Sequence, residues 1–207
     1  MKPLLKIFSV LIIGFLIYWL FFWPDREIKY PPGVLVKEDP YQKNIINGKP
    51  WEKDDYKITP LAEFHLKARV LSLEWYHFGR ETDLAPVDLA LGWGPMSDQA
   101  VLDRIDISQS NRWYHWSTDN FPIPRRLIET KSTNMHIVPG DENIKRELDE
   151  VIKGDIIELN GYLIYIQGKD GWKWRSSLTR NDTGGGACEV IWVKDFKIFY
   201  PNNLSLN

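Results

Sequence analysis

The chain has 207 residues, with 26 lysines and arginines against 28 aspartates and glutamates and a formal net charge of −2. A nucleic-acid-binding protein usually carries a basic face, so this balance argues against nucleic acid as a partner. The single cysteine excludes an intrachain disulfide, and the ten tryptophans predict either a large aromatic core or an aromatic binding surface.

The N-terminus is strongly apolar. Between Leu4 and Trp23 the only charged residue is Lys6, and about twenty helical residues cover the roughly 30 Å hydrocarbon core of a bilayer. Bulky residues follow this run in place of a small-residue cleavage site, which favours a retained anchor over a cleaved signal peptide. Lys2 and Lys6 favour a cytoplasmic N-terminus. We therefore predict a transmembrane signal anchor over residues 1–23, single-pass in a bacterial inner (cytoplasmic) membrane, with the remainder in the periplasm.

Two further segments follow the apolar run. Residues 24–60 carry repeated proline and Asn-Gly turn signals, which predict an extended connector without a long helix. Residues 64–73 alternate apolar and polar side chains as far as Val70, the period of a half-buried strand. We therefore predict that a β-rich globular domain spans residues 61–207.

The middle of the chain predicts short elements. Ser97 is a candidate N-cap for a helix over residues 98–105, because apolar residues then recur at helical spacing. Residues 112–116 and 127–138 are predicted as strands, and residues 142–151 as one or two helical turns.

The C-terminal third contains two apolar runs, residues 156–159 and 162–166, on either side of Asn160-Gly161. An Asn-Gly pair is a strong hairpin signal, but a single long strand that bends at Gly161 is equally compatible with the pattern. Strands are also predicted at residues 188–193 and 196–200.

Residues 152–164, IKGDIIELNGYLI, resemble the central strand of small OB-like barrels. The strand pattern predicts a mainly β (α+β) fold, in which the N-terminal transmembrane helix precedes a small β-barrel or sandwich domain, and the resemblance implies that this domain is OB-like. In that fold residues 64–73 form the first barrel strand, and residues 74–150 are a long insertion that contains a short helix.

Three polar residues alternate in one predicted strand. Ser132, Asn134 and His136 would project from the same strand face, where they could bind a polar ligand or place the histidine for proton transfer. The alternative is an ordinary solvated strand face.

A thiol is the main catalytic candidate. Cys188 follows Gly184-Gly185-Gly186, whose amides could stabilise an oxyanion, with His136 or His115 as the base. The alternative is that Cys188 is a small core residue.

Other chemistry has weaker signals. Asp83 and Asp88 could act as a carboxylate pair, but aspartate is common at turns for local reasons, and turn capping is the favoured role. The four histidines are too scattered for a metal site, and we predict neither a metal nor a cofactor.

The tryptophans suggest a binding function. Trp93, Trp113 and Trp116 lie near Arg112 in the sequence, and aromatic faces beside hydrogen-bonding groups suit sugars, peptides or partner proteins. We therefore predict a non-enzymatic, membrane-anchored binding or scaffold module of the cell envelope, with an envelope protein or glycan as its partner. The alternative is an envelope hydrolase or transferase that uses Cys188 with a histidine, or the Asp pair.

Overall fold

The computed structural model describes residue 8 and residues 11–15, 27–179 and 188–200. Of the predicted anchor, residue 8 and residues 11–15 are helical, and the other residues of 1–23 lie outside the described set. Within the described set, no helix has both the length and the apolar character needed to cross a bilayer. The predicted transmembrane helix is therefore wrong. The inner-membrane and periplasmic assignments depended on that helix and are not carried forward.

The described residues form ten strands and a few short helices. The strands are β1 (Tyr41–Asn44), β2 (Trp51–Lys53), β3 (Tyr56–Trp75), β4 (Val87–Gly92), β5 (Asp106–Ser110), β6 (Trp113–Ser117), β7 (Ser132–Pro139), β8 (Ile156–Gly168), β9 (Lys173–Arg175) and β10 (Glu189–Phe199). The α-helices are α1 (Gln99–Leu102), α2 (Arg125–Thr130) and α3 (Glu142–Asp149), and 3-10 turns occur at Arg80–Asp83 and Gly94–Ser97.

Eight of these strands form one large mixed sheet, and β5 and β6 form a separate two-stranded sheet. Strands β3, β4, β7, β10 and β8 pair in a closed cycle, because β3 pairs with both β4 and β8. The β7–β10 pair is parallel, whereas the other pairs of the cycle are antiparallel. The fold is thus mainly β with one large mixed sheet, and the predicted fold class is corrected accordingly. Residues 74–150, predicted as an insertion, supply β4 and β7 to this sheet.

The main hydrophobic core lies inside the cycle. Strand β3 contributes Phe64, Leu66 and Val70, and β4, β7, β8 and β10 contribute their own buried aliphatic residues. Alternate residues of each strand face this core, as the period-2 pattern of residues 64–70 predicted. β1 and β2 lie within the predicted connector and pair with β3.

Strand β8 decides between the two structures predicted at Asn160-Gly161, a hairpin and one long strand. It runs without interruption from Ile156 to Gly168, so the long strand is correct and the hairpin is wrong. A Cβ atom on Gly161 would lie 1.9 Å from the carbonyl oxygen of Trp192 on β10. Only glycine permits this close approach between the two backbones.

Two predictions for the middle of the chain need correction. The N-cap of α1 is Asp98, not Ser97, and the Asp98 side chain accepts a hydrogen bond from the Ala100 amide. Ser97 Oγ instead accepts hydrogen bonds from the Leu35 and Val36 amides. The first part of the predicted strand at 127–138 is helix α2, in which only Ile128 is buried. A strand is stabilised mainly by the packing of its side chains, and this segment buries little, so it forms a helix instead of the predicted strand.

Candidate functional site

The hairpin formed by β5 and β6 has two different faces. Ile107, Tyr114 and Trp116 point inward and pack on a hydrophobic cluster that includes Leu71 and Met96. Burial raises the pKa of the Tyr114 hydroxyl to about 12. The outward positions Ser108, Ser110, Trp113 and His115 are exposed. The hairpin is therefore a half-buried unit that presents one face to solvent.

The predicted polar row on β7 lies beneath this hairpin. Ser132, Asn134 and His136 are 6%, 4% and 4% exposed, so the solvated-face alternative is wrong. Ser132 Oγ accepts a 3.2 Å hydrogen bond from the Tyr114 hydroxyl, and Asn134 Oδ1 accepts a 2.6 Å hydrogen bond from Gln109 Nε2. Two of the three polar groups thus bind the inner face of the hairpin.

Arg112, at the turn of the hairpin, makes the most contacts. Its Nη1 donates to Asp88 Oδ1 and to the Ala85 carbonyl oxygen, both at 2.8 Å, and its Nη2 donates to Thr82 Oγ1 at 3.1 Å. The guanidinium lies 3.9 Å from the centroid of the Tyr76 ring, whose hydroxyl accepts from the Arg112 amide at 2.9 Å. The turn is therefore joined to the sheet through both its side chain and its backbone.

Asp88 is the buried anion of this cluster. Its side chain is fully buried on β4, and Arg112 is its cationic partner. His136 Nδ1 lies 2.9 Å from Asp88 Oδ1, but the two groups are not aligned for a hydrogen bond. Neither His136 Nδ1 nor Asp88 Oδ2 has a hydrogen-bond partner among the described residues. The His136 ring contacts Trp174, with 4.9 Å between centroids.

Cys188 lies at the edge of the same cluster. Its Sγ is 3.7 Å from Asn134 Nδ2 and 3.9 Å from the carbonyl oxygen of Arg112. The predicted glycine loop, Gly184 to Gly186, lies outside the described residues. His115, the other predicted base, is on the exposed face of the hairpin. The structure therefore brings Cys188 to Asn134 and Arg112.

The three predicted binding tryptophans occupy different environments. Trp93 is 1% exposed, and its Nε1 donates to Asp39 at 2.8 Å. Trp116 is on the inner face of the hairpin and meets Phe121 edge-on, at 6.2 Å between centroids. Trp113 is 42% exposed on the outer face. Of the three, Trp113 is the one placed to meet a ligand.

No family model, curated protein or solved structure matches this chain. Among the described residues, no group of three or more His, Cys, Asp or Glu side chains is arranged to hold a metal ion.

Asp88 and Gln109 belong to this cluster, although the sequence did not place them there. Asp88 was considered as a turn cap or one of a carboxylate pair, but it lies within β4, while Asp83 ends an exposed 3-10 turn. Gln109 was not singled out. The alternation of Ile107 and Gln109 with exposed serines was the available signal, because it predicts a strand with one covered face.

Proposed function

We propose that this protein is a non-catalytic binding module that recognises a protein partner through the outer face of the β5–β6 hairpin. The observation that carries the proposal is the placement of Trp113. It is 42% exposed on a hairpin whose opposite side is hydrogen-bonded to the sheet. A rigidly held aromatic side chain loses little conformational entropy on binding, which makes it an effective anchor.

The composition of the outer face supports a protein partner. This face carries no lysine or arginine: its exposed residues are Ser108, Ser110, Trp113, His115 and Ser117, with Asp106 as its one carboxylate at the end away from the turn. Interface cores in proteins are similarly enriched in aromatic residues and depleted of lysine and glutamate. A nucleic-acid surface would instead require cations on this face.

A second exposed aromatic residue lies close to the turn. Phe78 is 92% exposed, and its carbonyl oxygen accepts a 2.9 Å hydrogen bond from Thr82 Oγ1. The same hydroxyl accepts from Arg112, the neighbour of Trp113 in the chain. The backbone of Phe78 is thus linked through Thr82 to Arg112, and an exposed aromatic side chain at this position would add apolar contact area for a partner.

Site-specific photo-crosslinking in intact source cells tests this proposal. The crosslinking amino acid p-benzoylphenylalanine is introduced in place of His115 in the full chain, with the exposed Lys43 position on β1 as the control. We expect one discrete protein adduct from position 115 and none of that mass from position 43. A Trp113→Ser change should weaken the adduct strongly, because losing a hot spot of about 2 kcal/mol lowers affinity roughly thirtyfold.

Three other outcomes would overturn the proposal. Equal adducts from both positions, or an adduct insensitive to Trp113→Ser, would remove the hairpin face as the binding surface. A heterogeneous polysaccharide adduct would assign the face to a glycan.

Thiol chemistry at Cys188 is a second candidate function, favoured by the contact between His136 and the buried Asp88 carboxylate. In that case His136 would take the proton of the Cys188 thiol, and the thiolate would add to the acyl carbonyl of the substrate. The bond between that carbonyl and the leaving group would then break, and the leaving group would depart with the proton returned by His136. The rate of alkylation by iodoacetamide between pH 5 and 9 distinguishes the two candidates. A catalytic thiolate reacts rapidly near pH 6 and slows in a His136→Gln variant, whereas a structural thiol reacts slowly in both.

A further inference from the structure

A polar pocket lies between β3, α1, the start of β5 and the N-terminal segment at residues 27–29. Its volume is about 200 Å³, which is the space of roughly seven water molecules at about 30 Å³ each. The apolar part of its lining includes Leu71, Leu102 and Ile107, and the cations that border it are Lys29, Arg69 and Lys153. The pocket therefore combines apolar walls with these three cations, and three acidic residues, Glu27, Asp103 and Asp106, also border it.

The N-terminal segment closes one side of this pocket. The Ile28 amide donates to the Lys153 carbonyl oxygen at 2.9 Å. A Cβ atom on Gly154, whose φ is +94°, would lie 2.1 Å from the Ile28 carbonyl oxygen. Glycine at this position allows the segment to lie directly against the sheet.

Arg69 is the buried charge of the pocket, at 2% exposure. Its Nη1 donates to the Ser97 carbonyl oxygen at 3.2 Å, and its Nη2 donates to the Ile28 carbonyl oxygen at 3.2 Å and to Gln99 Oε1 at 2.5 Å. All three acceptors are uncharged. The guanidinium also lies 5.0 Å from the centroid of the Tyr30 ring.

Two donors at this position are unused. Arg69 Nε and the Tyr30 hydroxyl are buried, and neither has a hydrogen-bond partner among the described residues. No carboxylate among the described residues forms a salt bridge with Arg69. Burial lowers the pKa of the Arg69 guanidinium, as expected for a charge removed from water.

The acidic residues of the lining are placed differently. Glu27 pairs with Lys153 at 3.4 Å, and Asp103 accepts from Gln99 Nε2 at 2.8 Å. Asp103 and Asp106 are exposed. The buried charge is thus positive, while the negative charges lie towards solvent or have a partner.

We propose that this pocket binds a small monocarboxylate with a short apolar tail. The carboxylate accepts hydrogen bonds from Arg69 and compensates its buried charge, and the tail packs against Leu71, Leu102 and Ile107. A single negative charge suits the site better than a phosphate dianion, because Glu27, Asp103 and Asp106 also border it. The ligand class is therefore set by one buried cation and an apolar wall.

Titration of the full chain with sodium hexanoate, followed by two-dimensional NMR, tests the proposal. We expect saturable shifts of resonances around the pocket, with a dissociation constant on the order of 1 mM for so small a ligand. An Arg69→Met variant should bind at least about tenfold more weakly, because a charge-assisted hydrogen bond is lost. Arg125→Met makes the same chemical change at an exposed site and should leave binding unchanged.

Because Arg69→Met removes a buried group and could impair folding, a second variant is included. Leu102→Trp fills the partly exposed wall of the pocket, leaves Arg69 in place and should abolish hexanoate binding. The proposal is overturned if hexanoate produces no saturable shifts, or if Leu102→Trp binds it as well as the unmodified chain. It is also overturned if inorganic phosphate or hexylammonium binds more tightly than hexanoate.

Discussion

Removing the cation from the Asp88–Arg112 pair is the most direct test of the network beneath the hairpin. Arg112→Met keeps most of the side-chain stem but leaves the fully buried Asp88 carboxylate without its charged partner. Breaking a buried ion pair from one side typically costs about 3–5 kcal/mol. The side chain of Arg112 is itself only 19% exposed, so solvent screening reduces this figure little. We therefore expect Arg112→Met to lower the free energy of unfolding by about 3–5 kcal/mol.

A double-mutant cycle separates the pair from other effects of the substitution. Asp88→Asn preserves the shape of the side chain and removes its charge. The double variant should then be destabilised by at least about 2 kcal/mol less than the sum of the single variants, since neither unpaired charge remains buried. Urea unfolding of the full chain, followed by tryptophan fluorescence, gives all four free energies.

A matched control uses the same substitution at an exposed ion pair. The Arg125 side chain is 69% exposed and pairs with Glu129 four residues later, so Arg125→Met should change stability by no more than about 0.5 kcal/mol. The reasoning fails if Arg112→Met costs less than about 1 kcal/mol, or if the effects of the two single changes simply add. Amide exchange should also become faster in residues 106–117, because the hairpin loses its contacts through the side chain.

Three further outcomes are expected. The Arg80 guanidinium lowers the pKa of Asp170 to about 2, so this pair stabilises the fold above the unfolded value near 3.9, and the contribution disappears as the pH falls towards 2. Melting temperatures of the unmodified chain and Asp170→Asn should therefore converge between pH 5 and 2, and parallel curves would contradict this. Gly161→Ala should destabilise the chain by more than about 2 kcal/mol in urea, because its Cβ would overlap the Trp192 carbonyl oxygen. Asp141→Ala removes the side-chain N-cap of α3 and should cost about 1 kcal/mol by the same assay.

Local pattern predicted the strands well where one face is buried. The alternation in residues 64–73 identified part of β3, but the strand begins eight residues earlier, at Tyr56. The predicted connector ended at Pro60, so no strand was expected to cross this residue. In the structure Pro60 sits at a shift in the register between β3 and β8, and the strand continues through it. A register shift is set by the partner strand, about a hundred residues away, and local sequence does not contain it.

The N-terminal apolar run shows a different limit. Hydropathy reports that residues prefer an apolar environment, but it does not identify that environment. The helix predicted over residues 1–23 is overturned by the absence of a spanning helix among the described residues. The domain beyond it was predicted as mainly β, and this is what the strands of the large sheet show.

At the candidate site, the sequence predicted which side chains can form hydrogen bonds but not which groups they bond to. Ser132, Asn134 and His136 were selected because they can form hydrogen bonds from one strand face, and that face was correctly deduced from the period of a strand. What occupies the face is a hairpin from a separate sheet, which strand periodicity alone does not position. Ser132 and Asn134 are already hydrogen-bonded to the hairpin and have little left to offer a ligand. Trp113, on the opposite face of the same hairpin, remains exposed, and the search for a partner should therefore begin there.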